Sequence, residues 1–310
     1  SWRVTNECPN TMKILDSEDL HFLRNARQNA SKKGIEFNND LLFSDLAKRE
    51  IAAILRCDVS LMISKQEIEI LKNQFNIDES LLYYLPFLEK SITDDKINNW
   101  TKFEAREHFM FIGNFIHEPN FNCVQILKTK IWPILKTKLP KAEIHIYGAY
   151  PTQKVIQLNN SKDRFFVKGR ADDAQKTMSH YKVLLAPIQF GAGVKGKFVD
   201  AMQTGTPNVT TSVGAEAMQE NLDWNGFVAD DVDAFVDKAI LLYTNESAWK
   251  KAQKNGVKLL NENYNSILFE NNFLEKIEKI FKELRNHRNH NFIGQILQHH
   301  SNQSTKYMSL

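Results

Sequence analysis

The chain has 310 residues, 42% of them hydrophobic and 25% charged, and 40 basic against 37 acidic side chains leave a net charge of +3. That balance suits a globular chain long enough for two domains and excludes a strong field for nucleic acid or an anionic membrane. Cys8, Cys57 and Cys123 are far apart without a CxxC pair, which excludes a disulfide framework or cysteine-built zinc site and fits a reducing cytoplasm, and no apolar run approaches a membrane span.

In chain order, the first short apolar run is Met12–Leu15, followed by an acid-rich loop with Asp16, Glu18, Asp19 and His21. Val59–Ile63 is the next, and Ser64-Lys65-Gln66-Glu67 directly after it is a capping box opening a helix with Ile68, Ile70 and Leu71. Leu81–Leu85 is the third. The polar segment Glu89–Glu107 has no strand pattern, so residues 1–88 are expected to form one domain and 89–107 a linker. Beyond it, Phe109–Ile112, Ile144–Tyr147, Phe165–Val167, Val183–Ala186 and Asn208–Thr211 are β-rich runs separated by segments of helical spacing, and residues 108–270 are expected to form a second domain. Strand–helix alternation over this length argues a doubly wound α/β protein with two mainly parallel sheets.

Ile126–Lys130 and Ile134–Lys138 both read ILKTK, which predicts lysines on one helix face if the helix runs through Pro133; a solvated face or contact with an anionic surface would explain them. Asp231-Val232-Asp233 imitates a metal-binding DxD but precedes a helical run, where an N-cap explains it better. Asn271–His287 carries Phe273, Ile277, Ile280, Phe281 and Leu284 at helical spacing. The tail from Arg288 shows no pattern, and His287, His290, His299 and His300 lack ligand spacing. Residues 271–310 are expected as a final helix and polar tail.

The segment Val183–Pro207 concentrates the chemistry. A buried strand runs into a loop with Gly191, Gly193 and Gly196, and a helix begins near Lys197. Backbone N–H groups and a helix N-terminus converge there, glycines admit a close phosphate, and Lys195 and Lys197 add positive charge, which suits a diphosphate. The three glycines also fit GxGxxG, with Glu216 twenty positions on. A nicotinamide dinucleotide is nonetheless disfavoured: three strands of the same domain precede the motif, and Pro187–Phe190 separates strand from glycines.

Pro187–Pro207 resembles the donor-binding segment of GT-B glycosyltransferases, especially the retaining family-4-like class, and Val209–Met218 resembles the strand and loop that follow it. Phe111–Asn114, Ile146–Gly148 and Val167–Arg170 resemble earlier strand ends of that donor domain. Ile14–His21 and Asp58–Glu67 resemble late parts of the acceptor domain. The resemblance implies two Rossmann-like domains facing a cleft, with the first incomplete at its N-terminus. It implies transfer of a hexosyl group, with retention, from a nucleotide-diphosphate sugar held by the second domain to an unknown glycan, lipid or small-molecule acceptor. No obligatory metal or other cofactor, no nucleic acid and a cytoplasmic or membrane-peripheral location go with it.

Carried over position by position, Lys197 and Lys195, with the loop around Gly191 and Gly193, would face the diphosphate, Gly113 would end the first donor strand, and Arg170 would flank the base or diphosphate. Asp200 would hold ribose hydroxyls, Glu216 a hydroxyl or a helix end, and His21 would face the donor sugar as a catalytic partner of Lys197. The final helix would return towards the first domain. Two glutamates common in the family are replaced here by Ala192 and Asp200. A GT-B epimerase and a nucleotide-sugar-binding module without activity are the alternatives, and weak transfer is expected of a chain with so short an acceptor side.

Overall fold

Each of the eight runs expected as strands contains or overlaps one in the structure, a computed structural model that describes residues 2–308, and every strand pair is parallel. The α/β class therefore stands. Contacts divide the chain into two compact units: Ser1–Leu88, Ala192–Val194 and Ser266–Leu310 form one, and Glu89–Gly191 with Lys195–Asn265 form the other.

The first unit holds a three-stranded sheet in the order β1 (Ile14–Ser17), β2 (Val59–Met62) and β3 (Leu82–Tyr84). Strand β1 starts two residues later than Met12. The Lys13 N–H is held by the Asp58 carboxylate at 2.7 Å, and the Lys13 carbonyl accepts from Asp58 N–H at 2.8 Å. Helices His21–Lys33, Asp45–Arg56 and Lys65–Phe75 bury Phe22, Leu23, Ile54 and Leu71 against Met62 of the sheet. Ser64 caps the third of these, its Oγ accepting from Glu67 N–H at 3.3 Å. The Glu67 carboxylate accepts from Gly193 N–H at 2.7 Å, which places Ala192–Val194 in this unit. Gly193 has φ +65° and a Cβ there would lie 2.7 Å from the Glu18 carbonyl, so only glycine fits.

The C-terminal segment departs from the patternless tail expected after Arg288. Helix Glu270–Lys282 is followed by Leu284–His290 and then by Phe292–Met308. Its order comes from distant partners that local spacing does not reveal. Arg288 donates to both Asp58 carboxylate oxygens at 2.8 and 3.0 Å and to the carbonyls of Pro9 and Thr11. Asn291 caps the last helix through Gly294 N–H at 3.0 Å while donating to the Leu55 carbonyl at 2.7 Å. Asp58 is only 3% exposed. Arg288→Ala leaves a buried carboxylate short of its cation and is expected to cost about 3 kcal/mol. Hydrogen exchange across 284–308 should accelerate in step; a variant with unchanged unfolding midpoint and exchange would show that the pair does not anchor these helices.

The second unit is a six-stranded sheet, β4 (Glu107–Ile112), β5 (Ile144–Tyr147), β6 (Phe165–Gly169), β7 (Tyr181–Ala186), β8 (Asn208–Thr210) and β9 (Gly226–Val228), in the order β6-β5-β4-β7-β8-β9. The chain runs outward from β4 to one edge, then returns beside β4 as β7 and runs to the other edge. Strand order thus reverses between β4 and β7, where open α/β sheets leave a crevice at the carboxyl ends of their strands. Phe109, Phe111, Ile144, Ile146, Val183 and Leu185 are fully buried there. Strand β9 was not expected: its three residues are only half-buried and lie in no longer apolar run.

Residues 89–107, expected as a linker, hold helix Asp94–Asn98 and the start of β4 and belong to this unit. Ile92 exchanges two hydrogen bonds with the Asn261 side chain, and Arg106 is fully buried. The two ILKTK copies lie on one continuous helical run, Glu118–Ile126, a π-turn at Leu127–Ile131 and Trp132–Lys138. The widened turn accommodates Pro133, which lacks an N–H for the regular ladder. Lys128 and Lys136 both grip Asp163, at 3.2 and 2.6 Å, so these lysines form an internal clamp. Asp231 caps helix Val232–Thr244, its Oδ1 accepting from Asp233 and Ala234 N–H groups.

Candidate functional site

At the reversal point the parallel strands deliver their carboxyl ends to one edge of the second unit. Strand β4 ends at Ile112 and leads into Gly113 and Asn114, β5 leads into Gly148 and Ala149, and β6 leads into Arg170 and Ala171. Helix Gly196–Gln203 begins after β7. Together with Asn120 and Ala174 these segments line a cavity of about 350 Å³, and Lys197 and Asp200 are the charged helix residues that face it. Gly113, Arg170, Lys197 and Asp200, far apart in the sequence, are thereby brought together.

Lys197 occupies the first turn of its helix and folds back over β4. Its ammonium donates to Asn120 Oδ1 at 2.7 Å and lies 4.3 Å from the centroid of the Phe111 ring. The residue as a whole is half-buried, but the charged end is the deep part. Burial therefore pulls its pKa down to about 8, with the nearby Cys123 acting in the opposite sense. Cys123 is itself fully buried, and burial pushes its thiol up to about 12, so it carries no neutralising charge. At neutral pH Lys197 is mostly an ammonium, and no carboxylate among the described residues pairs with it. A desolvated cation beside a cavity at a helix N-terminus is an anion-binding arrangement.

Asp200, one turn further on, does not pair with Lys197. Its Oδ1 accepts from Gln175 Nε2 at 2.9 Å, and burial raises its pKa, with Asp173 adding to the rise. Arg170 is exposed at the rim. Lys195 is the N-cap residue of the helix, and its carbonyl accepts from Phe198 N–H at 2.9 Å.

The other expected residues lie elsewhere. Gly191 is buried at the end of its segment of the second unit, whereas Gly193 belongs to the first, with its N–H already given to Glu67. Glu216 is the C-cap residue of the short helix Ser212–Ala215 and is not among the cavity residues. His21, in the first unit, opens helix His21–Lys33 with its side chain 56% exposed, 3.4 Å from Asp19 and 3.5 Å from Glu50. The N-terminus of this helix is capped by Glu50, whose two carboxylate oxygens accept from the N–H groups of His21 and Phe22 at 3.0 and 2.8 Å. Asp19 pairs with Arg24 at 2.9 Å. Asn120, Asn114 and Gln175 were not anticipated. The Pro119-Asn120 helix start one loop beyond the β4 glycine was the available signal for Asn120.

Comparison with known proteins agrees with this fold. Residues 106–245 match the family described as glycosyl transferases group 1. An uncharacterized 44.6 kDa protein in the cps region of Klebsiella pneumoniae is 25% identical over 175 residues, which is 54% of this chain and 45% of that protein. A mutant TarM from S. aureus, solved with fondaparinux, alpha-GlcNAc-glycerol and UDP, superposes with a TM-score of 0.67 at 16% identity, covering 91% of this chain and 54% of its own. The pneumococcal O-GlcNAc transferase GtfA, solved with UDP and GlcNAc, does so with a TM-score of 0.59 at 16% identity, covering 90% of this chain and 54% of its own. The chain thus spans about half the length of these relatives. It has the α/β fold of the GT-B glycosyltransferases, and the unit that carries the cavity is the part that matches glycosyl transferases group 1.

Proposed function

We propose that this chain carries the donor side of a glycosyltransferase, and that the cavity of the second unit binds a nucleoside-diphosphate sugar. The observation that carries the reading is the desolvated Lys197 ammonium, held without a carboxylate partner where the sheet order reverses. Uridine is the proposed base, because UDP is bound in both the TarM and the GtfA structures. In the transfer, the bond between the anomeric carbon and the β-phosphate oxygen breaks, its electron pair leaves with the diphosphate, the acceptor hydroxyl oxygen bonds to the anomeric carbon, and the hydroxyl proton passes to the departing diphosphate, with retention proposed from the family resemblance. Negative charge grows on the leaving diphosphate. Lys197 and the first N–H groups of its helix are already oriented towards such charge, so they stabilise it without reorganisation. Arg170 lines the cavity and adds positive charge there, Lys195 is proposed to add more from the helix start, and Asp200 is proposed to accept from ribose hydroxyls.

UDP should raise the unfolding midpoint more than GDP or ADP, and a UDP-sugar panel with product detection tests transfer. Affinity for UDP, but not for uridine, should fall as pH rises through about 8. The sign follows from Lys197: its depressed pKa makes it lose its proton there, and the neutral amine no longer attracts phosphate. UDP affinity that stays level between pH 7 and 10 would remove Lys197 from the phosphates.

A further inference from the structure

We infer that Asn120 is a positioning residue for this site: its side-chain amide holds the Lys197 ammonium at the cavity wall, in the place from which it meets the diphosphate. The inference rests on the donor reading above and extends it to a residue that does not itself have to touch the phosphates.

The amide orientation is fixed from both sides. Asn120 Nδ2 donates to the Asn114 carbonyl at 2.8 Å, and Oδ1 accepts from Lys197 Nζ at 2.7 Å. A carbonyl can only accept and an ammonium can only donate, so the flipped amide would lose both bonds. The Asn114 carbonyl belongs to the turn after β4, where Asn114 Oδ1 accepts from Ile116 N–H at 3.0 Å. Asn120 N–H is tied to the His117 carbonyl at 3.0 Å. The turn therefore grips the amide, and the amide grips the lysine.

Gly113 belongs to the same device. A Cβ built there would sit 2.6 Å from both Cγ and Oδ1 of Asn120, so any larger residue pushes the amide away from its present place. The choice of an amide is also chemical. A carboxylate would hold the ammonium equally well but would cancel its charge, leaving less attraction for a diphosphate. The neutral acceptor restrains the long lysine stem and leaves its charge for the ligand, and restraint before binding lowers the entropy lost on binding.

The test uses the ligand-free chain and its UDP complex. In the free chain, the Lys197 titration is followed by NMR of its Cε and Nζ. Asn120→Ala should move it to lower pH, because an acceptor that favours the ammonium is gone; Asn120→Asp, nearly isosteric, should move it to higher pH. Both should weaken UDP by about tenfold or more and leave uridine affinity unchanged, and Gly113→Ala should weaken UDP in the same direction. Asn120→Asp has no N–H to give the Asn114 carbonyl, so it is retained uridine affinity that shows its loss of UDP affinity does not come from misfolding. Unmoved Lys197 titrations in both Asn120 variants would overturn the inference, as would shifted titrations with wild-type UDP affinity. If Lys197→Met loses UDP while the Asn120 variants bind it normally, this inference alone falls. A wild-type chain that binds no nucleoside diphosphate overturns the donor reading, and this inference with it.

Discussion

Lys197→Met is expected to make the ligand-free protein more stable while removing its affinity for nucleoside diphosphates. Burial lowers the Lys197 pKa from 10.5 to about 8. Keeping that ammonium charged in the folded state therefore costs about 3 kcal/mol at neutral pH. Methionine keeps an unbranched chain against the Phe111 ring without the charge. It leaves Asn120 Oδ1 without its donor, which costs about 1–2 kcal/mol, so a net gain of about 1–2 kcal/mol remains. The pH dependence has a definite sign. The penalty is full below the folded pKa of about 8 and shrinks between there and 10.5, as the folded lysine deprotonates before the unfolded one. The advantage of the variant in urea unfolding should accordingly be larger at pH 7 than at pH 9.5. UDP affinity should fall by about thirty- to a thousandfold, the value of a charge-assisted contact in a desolvated site, with uridine affinity retained. A less stable variant, or equal losses for UDP and uridine, would mean that the buried ammonium serves the fold and not the ligand.

Arg106→Ala is expected to be the most damaging single substitution in the second unit. The side chain is 0% exposed and no carboxylate among the described residues faces it. Its guanidinium is satisfied by dipoles instead: Nε donates to the Thr101 carbonyl at 3.0 Å, Nη1 to Thr206 Oγ1 at 2.7 Å, and Nη2 to the Thr204 carbonyl at 2.7 Å. Its plane lies against Trp249, with 5.1 Å from Cζ to the ring centroid. Burial draws its pKa down to about 10, still far above neutrality, so the group stays charged. Truncation to alanine strips donors from these buried oxygens and opens a void beside Trp249, for an expected loss of about 3–5 kcal/mol. Arg106→Met fills part of that void and relieves the burial of charge, so it should cost less than alanine. Thr204 and Thr206 form the turn that ends helix Gly196–Gln203, so the damage should reach UDP affinity through the helix that bears Lys197. Urea unfolding of the two variants decides the matter. A change below about 1 kcal/mol for alanine would show that water replaces the guanidinium without strain.

Both residues show where sequence legibility ends. Lys197 could be singled out because it lies on the strand, glycine loop and helix start that together favour an anion, and the structure sets it at a cavity. Arg106 could not be read as core. It sits in a charged stretch without periodicity, and one arginine among acids and lysines looks solvated until its neighbours are known.

The sequence by itself determined the α/β class and eight of the nine strands among the described residues, and it singled out Lys197 and Asp200, which the structure brings to one cavity. Buried parallel strands are short continuous apolar runs, and their burial is visible without knowing their partners. It also gave most of the helix expected over Asn271–His287, which ends at Lys282 in the structure, and the cap at Asp231, both local patterns. Only tertiary structure decided that Glu67 takes the N–H of Gly193, that Glu50 caps the helix of His21, that Asp58 orders the helices after Glu283, and that Asn120 holds Lys197. Each of these is a hydrogen bond between polar groups from distant segments. Periodicity records which side of an element is buried, but it carries no trace of which polar atom, dozens of residues away, satisfies a given donor.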